Sequence, residues 1–173
     1  SRSSGPMLVA ALSAGLTAAG REVWNLGLCP TPAVPGAIRR LSASGGLMVS
    51  ASHNPPHDNG IKVFGASGAK LSRAQQQVVE AGLAGVPGKA SAAQGFSGVG
   101  QVRDRSDLLA DYQRALVASV MGRRLEGCKI VLDLCWGSAA ACGEAVFQAL
   151  GADLTVLHGT ADGERINVDC GST

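Results

Sequence analysis

Between Ser50 and Lys62 the chain reads Ser-Ala-Ser-His-Asn-Pro-Pro-His-Asp-Asn-Gly-Ile-Lys. Hydroxyls, an imidazole, amides and a terminal lysine lie within one short stretch, and that set of groups suits an anionic ligand, with phosphate the natural candidate. A serine hydroxyl is a weak nucleophile until a base or a metal activates it. Once phosphorylated it carries about −1.5 to −2 charges near neutral pH and needs cations or N–H donors around it. Lys62 supplies a cation, while Ser52 and His53 sit side by side in the loop. The same residues also read as a polar β-turn with an exposed serine and histidine, because loops of Ser, Asn and Pro are common.

The flanks of this stretch are what position it. Residues 46–49 and 61–64 are short, apolar and poor in helix signals, so each predicts a strand. Pro55 and Pro56 remove two N–H groups and fix φ, and Asn54, Asp58, Asn59 and Gly60 suit turns, which predicts a rigid, non-helical loop at a strand end. Upstream, residues 6–19 predict a helix capped by Ser4, with Pro6 in its first turn and Gly20 as its stop. A signal peptide is the competing reading of that segment, and it is too short to span a bilayer. Residues 22–26 predict a strand, 33–42 a helix, and Ser72 caps a helix running to residue 84.

The wording of the loop goes further than its composition. Ser-Ala-Ser-His-Asn-Pro followed by Asp58-Asn59-Gly60-Ile61-Lys62 resembles the active-site serine loop of the alpha-D-phosphohexomutase family. Ser4-Gly5 before an apolar helix, Cys29-Pro30-Thr31-Pro32-Ala33-Val34 and Gly65-Ala66-Ser67-Gly68-Ala69-Lys70-Leu71 are similar to the family's landmarks, in the family's order. The closing Asn167-Val168-Asp169-Cys170-Gly171-Ser172-Thr173 favours the phosphoglucosamine mutase branch over the phosphomannomutase and phosphoglucomutase branches. The resemblance covers nearly the whole chain.

That resemblance implies a phosphoserine at Ser52, which exchanges its phosphoryl group with a small-molecule phosphosugar. It implies interconversion of glucosamine 6-phosphate and glucosamine 1-phosphate through a 1,6-bisphosphate, with Mg²⁺ held through the phosphate on Ser52. Lys62 matches a lysine near the transferred proton and the phosphate, as a cation first and as acid or base second. His53 would position the phosphate or carry a proton. Asn54 and Asn59 would support the loop, and Arg2 would add an electrostatic contribution. The family's Asp-Gly-Asp-x-Asp-Arg metal loop, sugar-recognition loop and C-terminal phosphate-binding domain have no counterpart here, so the expected partner is the remainder of a longer chain, without which the segment is expected to be inactive. A phosphomannomutase, a phosphoglucomutase and a non-catalytic anion-binding α/β module stay open as alternatives.

The fold this implies is α/β: a phosphohexomutase-like domain with a mixed β-sheet packed between helices, followed by the start of a second, similar α/β domain. With 173 residues and 46% hydrophobic content the chain can bury a core. A net charge of +2, no basic run and few aromatics exclude a nucleic-acid surface, and no segment suggests a membrane. Five diluted cysteines without a Cys-x-x-Cys predict reduced thiols in the cytoplasm. The Gly-rich stretch 85–100 reads as a linker and sets the boundary between residues 1–103 and 104–173. Beyond it, Ser106 or Asp104 caps a helix over 107–120, and strand 129–134, helix 138–150 and strand 153–157 predict a β-α-β unit with parallel strands.

Several other residues invite metal or anion readings. Cys128, Cys135 and Cys142, spaced seven apart, fit buried small side chains better than metal ligands. Trp136-Gly137-Ser138 fits a helix cap better than an anion site, and His158, Asp162, Glu164 and Asp169 fit a solvated loop. His57 reads as a turn residue.

Overall fold

The computed structural model describes residues 1–84 and 98–171. In chain order the elements are α1 (Gly5–Ala18), β1 (Val23–Asn25), α2 (Ala33–Leu41), β2 (Gly45–Val49), β3 (Ile61–Gly65), α3 (Arg73–Leu83), β4 (Val102–Asp104), α4 (Leu108–Ser119), β5 (Lys129–Asp133), a 3-10 turn (Ser138–Ala141), α5 (Gly143–Ala149) and β6 (Asp153–Leu157). The architecture is α/β, as predicted, but the described strands form three separate ladders rather than one continuous mixed sheet. β1 pairs parallel with β4, β2 antiparallel with β3, and β5 parallel with β6. The linker predicted over 85–100 lies largely outside the described residues.

The serine loop is the connection of the β2–β3 hairpin. Val49 pairs with Ile61, and the Ser50 N–H donates to the Gly60 carbonyl at 2.8 Å, which closes the loop at its base. The hairpin is held from behind by α2, whose buried face of Ala33, Val34 and Ile38 packs with Cys29 and Phe64 into the first core, bordered by Met48, Leu109 and Tyr112. Gly46 explains how closely helix and strand approach: a Cβ there would meet Val34 Cγ1 and Ile38 Cδ1 at 2.8 Å each. The α2 helix stops at Ser42, which takes a left-handed φ of 52° and returns its N–H side to Ile38.

Local predictions change at several points, among them the cap of α4, which is Asp107 without a side-chain bond rather than Ser106 or Asp104. Ser4 occupies the N-cap position of α1 but makes no capping bond, because its hydroxyl accepts from Asn59 of the serine loop instead. The helix predicted over 138–150 breaks at Cys142 into the 3-10 turn and α5, since its first half is Ser and Ala with no anchor of helical spacing. β4 is a strand that sequence patterning does not predict; Val102–Asp104 is short and wholly exposed, and its pairing with β1 alone defines it. By contrast, Ser72 makes the predicted cap as a full capping box with Gln75. α4 joins the two halves: Leu109 and Tyr112 reach the first core, and Asp111 pairs with Arg40 on α2.

Candidate active site

Ser52 sits at the exposed turn of the loop with φ 58°, a left-handed conformation that costs a non-glycine residue about 1–2 kcal/mol. What holds it there is a clamp on the backbone. One terminal nitrogen of Arg2 donates to the Ser52 carbonyl at 3.1 Å and to the Asn54 carbonyl at 2.7 Å. From the far end of the chain, Asn167 Nδ2 donates to the same two carbonyls, at 3.1 Å each. Inside the loop, Ser52 N–H donates to Ser50 Oγ at 3.2 Å and Asn54 Nδ2 to Asp58 Oδ2 at 3.0 Å. Asn59 Nδ2 ties the loop to Ser4 at 2.9 Å, and Asn59 Oδ1 accepts from Gly60.

Arg2 therefore does more than the electrostatic part expected from the sequence. It is 4% exposed, and its Nε has no partner, so its guanidinium is a buried strut aimed at the loop. Its burial lowers its pKa while Asp58 opposes that shift. Asn167 reaches the loop because the chain near Gly163 lies against the N-terminal backbone. A Cβ on Gly163 would fall 2.4 Å from the Ser3 nitrogen and 2.6 Å from the Ser1 carbonyl oxygen.

Ser52, Ser50, Lys62 and Arg2 line one open cleft of about 300 Å³ together with Asp133, Cys135, Ser138 and Asn167. Lys62 comes from β3, paired with Met48, so the strand register brings its side chain to the same cleft as Ser52. His53 is exposed and is not part of the cleft lining, and Asn54 and Asn59 act on the loop rather than on the cleft. His57 is exposed in the turn, 3.8 Å from Asp58.

The cluster around Asp133 was not legible as a site. Asp133, at the end of β5, takes His158 Nδ1 at 2.9 Å and the Cys135 N–H at 2.9 Å on Oδ1, and the Gly171 N–H at 3.3 Å on Oδ2. These bonds, His158 first, hold its carboxyl down at about 2. Burial, then Asp133, pushes the Cys135 thiol up to about 11. Cys135 does not gather with Cys128 and Cys142, but its sulfur, Cys170 Sγ and an Asp133 oxygen lie within 4.8 Å of one another. Cys142 is buried as expected, whereas Cys128 is exposed at the entry to β5. His158 is not a freely solvated loop residue, since its ring packs tilted against Trp136 with centroids 5.0 Å apart. Asp162 matches the loop reading, because its carboxylate accepts the N–H groups of Glu164 and Arg165. The signal available was Asp-x-Cys at a strand end; nothing in the sequence placed Cys170 beside it.

A loop-borne serine on a clamped left-handed turn, sharing a cleft with a lysine of the next strand in an α/β frame, defines the class. The chain belongs to the phosphoglucomutase/phosphomannomutase family, whose alpha/beta/alpha domain I matches residues 1–86. Within it, the chain is 69% identical over all 173 residues to a phosphoglucosamine mutase of Synechococcus sp. strain CC9311, and 66% identical to one of Prochlorococcus marinus strain MIT 9313. It spans 37% of the length of each of these relatives. A crystal structure of a phosphoglucomutase/phosphomannomutase family protein from Burkholderia thailandensis superposes with a TM-score of 0.75 at 31% identity, covering 94% of this chain and 35% of that one.

Proposed function

We propose that this chain carries the phosphoserine loop of a phosphoglucosamine mutase. In this reading the enzyme interconverts glucosamine 6-phosphate and glucosamine 1-phosphate through a 1,6-bisphosphate, in the cytoplasm, on the way to UDP-N-acetylglucosamine. Identity of 69% to a phosphoglucosamine mutase over the full chain supports the substrate class. The observation that carries the site is that Ser52 and Lys62 line one cleft while the Ser52 backbone is clamped by Arg2 and Asn167. The described residues include no helix long and apolar enough to cross a membrane, and the cysteines are free, which fits a reducing compartment.

In the forward step phospho-Ser52 gives its phosphoryl group to a sugar hydroxyl. The Oγ–P bond breaks as the sugar O–P bond forms, and the hydroxyl proton leaves to a base. The flipped bisphosphate then returns its other phosphoryl group to Ser52 Oγ. The chain's residues chiefly align and neutralise, as phosphoryl transfer demands. Lys62 offsets charge on the transferring group, His53 on the open side of the loop positions the phosphate or carries the proton, and Arg2, Asn54 and Asn59 hold the loop in shape. The reading keeps residues 1–103 and 104–173 as two domains, with loop 50–62 in the first.

Mg²⁺ belongs to the same reading, held through the phosphate on Ser52. It prefers near-octahedral oxygen ligation. Among the described residues the cleft lining offers a single carboxylate, Asp133, and the cations Arg2 and Lys62, where Mg²⁺ needs several oxygen ligands. These residues alone do not fit a Mg²⁺ site. Treating the full-length protein with glucosamine 1,6-bisphosphate and mapping phosphate by fragment-ion mass spectrometry tests the serine assignment: label on Ser52 and none in Ser52→Ala is expected, and label confined to Ser50 would refute it.

A further inference from the structure

Asp133 and Cys135, which line the same cleft as Ser52, belong with Cys170 to a second set of ligating groups that the mutase reading leaves unused. Cys135 Sγ, Cys170 Sγ and a carboxylate oxygen of Asp133 lie within 4.8 Å of one another, brought together from the end of β5 and from the segment after β6. Backbone bonds fix their relative positions: the Cys135 N–H and the Gly171 N–H both donate to the Asp133 carboxylate, and the Asn167 N–H donates to the Cys135 carbonyl at 3.2 Å. His158 Nδ1 donates or accepts at 2.9 Å on the same carboxylate, the outer contact that orients a metal-binding group.

We propose that Cys135, Cys170 and Asp133 form a binding site for a soft divalent cation of the Zn²⁺ type, distinct from the hard-cation chemistry of phosphoryl transfer. Two thiolates and a carboxylate select Zn²⁺ over Mg²⁺, because sulfur is a soft ligand. With Zn–S bonds of about 2.3 Å, two sulfurs of a tetrahedral site lie about 3.8 Å apart, within the 4.8 Å that bounds the separations of these groups. Three protein ligands leave a fourth position for water. Each thiol that binds gives its proton to solvent, so uptake releases protons and weakens as pH falls. An ion bound there fastens the segment 167–171, whose Asn167 holds the Ser52 carbonyl, to the β5 end.

Co²⁺ titration of the reduced 173-residue chain provides the test, because cobalt bound by thiolate gives a near-ultraviolet charge-transfer band and tetrahedral visible bands, and Zn²⁺ then displaces it. The site predicts one Co²⁺ per chain, bleached by an equimolar amount of Zn²⁺ and unaffected by a large excess of Mg²⁺. Cys135→Ser and Cys170→Ser each weaken binding at least tenfold, while Cys128→Ser, at the exposed cysteine, leaves it unchanged. Circular dichroism on each variant confirms folding; should Cys135→Ser unfold, Asp133→Asn and Cys170→Ser carry the test. A spectrum without thiolate bands, or binding that survives both serine variants, would overturn the site.

Discussion

At the scale of single residues, the loop depends on groups whose roles separate cleanly in variants. Ser52→Ala removes the phosphate acceptor but leaves stability within about 0.5 kcal/mol, because an exposed hydroxyl contributes little to a core; phosphate incorporation and thermal melting measured together check both halves. Ser52→Gly also abolishes incorporation, yet it melts at or above the parent temperature, since glycine adopts φ 58° without penalty. Arg2→Met deletes two charge-assisted bonds to the Ser52 and Asn54 carbonyls, which contribute roughly 1.5–3 kcal/mol each, and denaturant unfolding reads the loss. For Lys62, Arg keeps the charge and Met keeps the bulk. If Lys62 acts as a cation, Lys62→Arg in the full-length enzyme retains most of the mutase activity that Lys62→Met loses; an inactive Arg variant with normal substrate affinity instead marks proton transfer. Cys29 supplies a pH signature. Burial, then Cys142, pushes its thiol from 9.0 up to about 11, so the unfolded chain gives up this proton first. Its stabilising share is whole below pH 9 and disappears as pH rises through 11, and Cys29→Ala flattens that alkaline loss in pH-dependent melting.

At the scale of elements, the sequence gives up the pieces that carry strong local signals. Ser72 with Gln75 writes a capping box, and Val34 with Ile38 writes a buried helix face, so α3 and α2 follow from patterning. The hairpin strands follow from apolar runs around turn residues. What stayed hidden depends on partners distant in sequence: β4 exists through its pairing with β1, and the hydroxyl of Ser4 serves a loop 55 residues on rather than its own helix. The serine loop was legible in its chemistry but its clamp was not, because no periodicity links Arg2 or Asn167 to residues 52–54. Gly46 offers a test of how α2 braces the hairpin. Gly46→Ala places a methyl against Val34 and Ile38, and overpacking of this kind costs roughly 1–3 kcal/mol, with a lowered melting temperature and faster amide exchange in β2 and β3 as the expected result.

At the scale of the whole molecule, the cleft is assembled from both ends of the described chain and the middle. Its charge pattern predicts that calorimetry detects no tight Mg²⁺ binding to this chain, since a single carboxylate lines it beside two cations; a micromolar affinity would show that the residues here suffice as ligands after all. Asn167→Ala tests the far tie, with faster amide exchange across 50–60 and an unchanged first core expected. That tie also imposes a sequence in time. A nascent chain emerges N-terminal end first, and its early segments begin to fold before later ones are made. The hairpin and Arg2 are available early, but the bonds from Asn167 join carbonyls 113 and 115 residues away and cannot form until nearly the whole segment is synthesised. The serine is thus fully seated only at the end of that interval, so chains halted before residue 167 should expose the loop to protease while the α2 core is already protected, a difference that limited proteolysis of stalled chains would record.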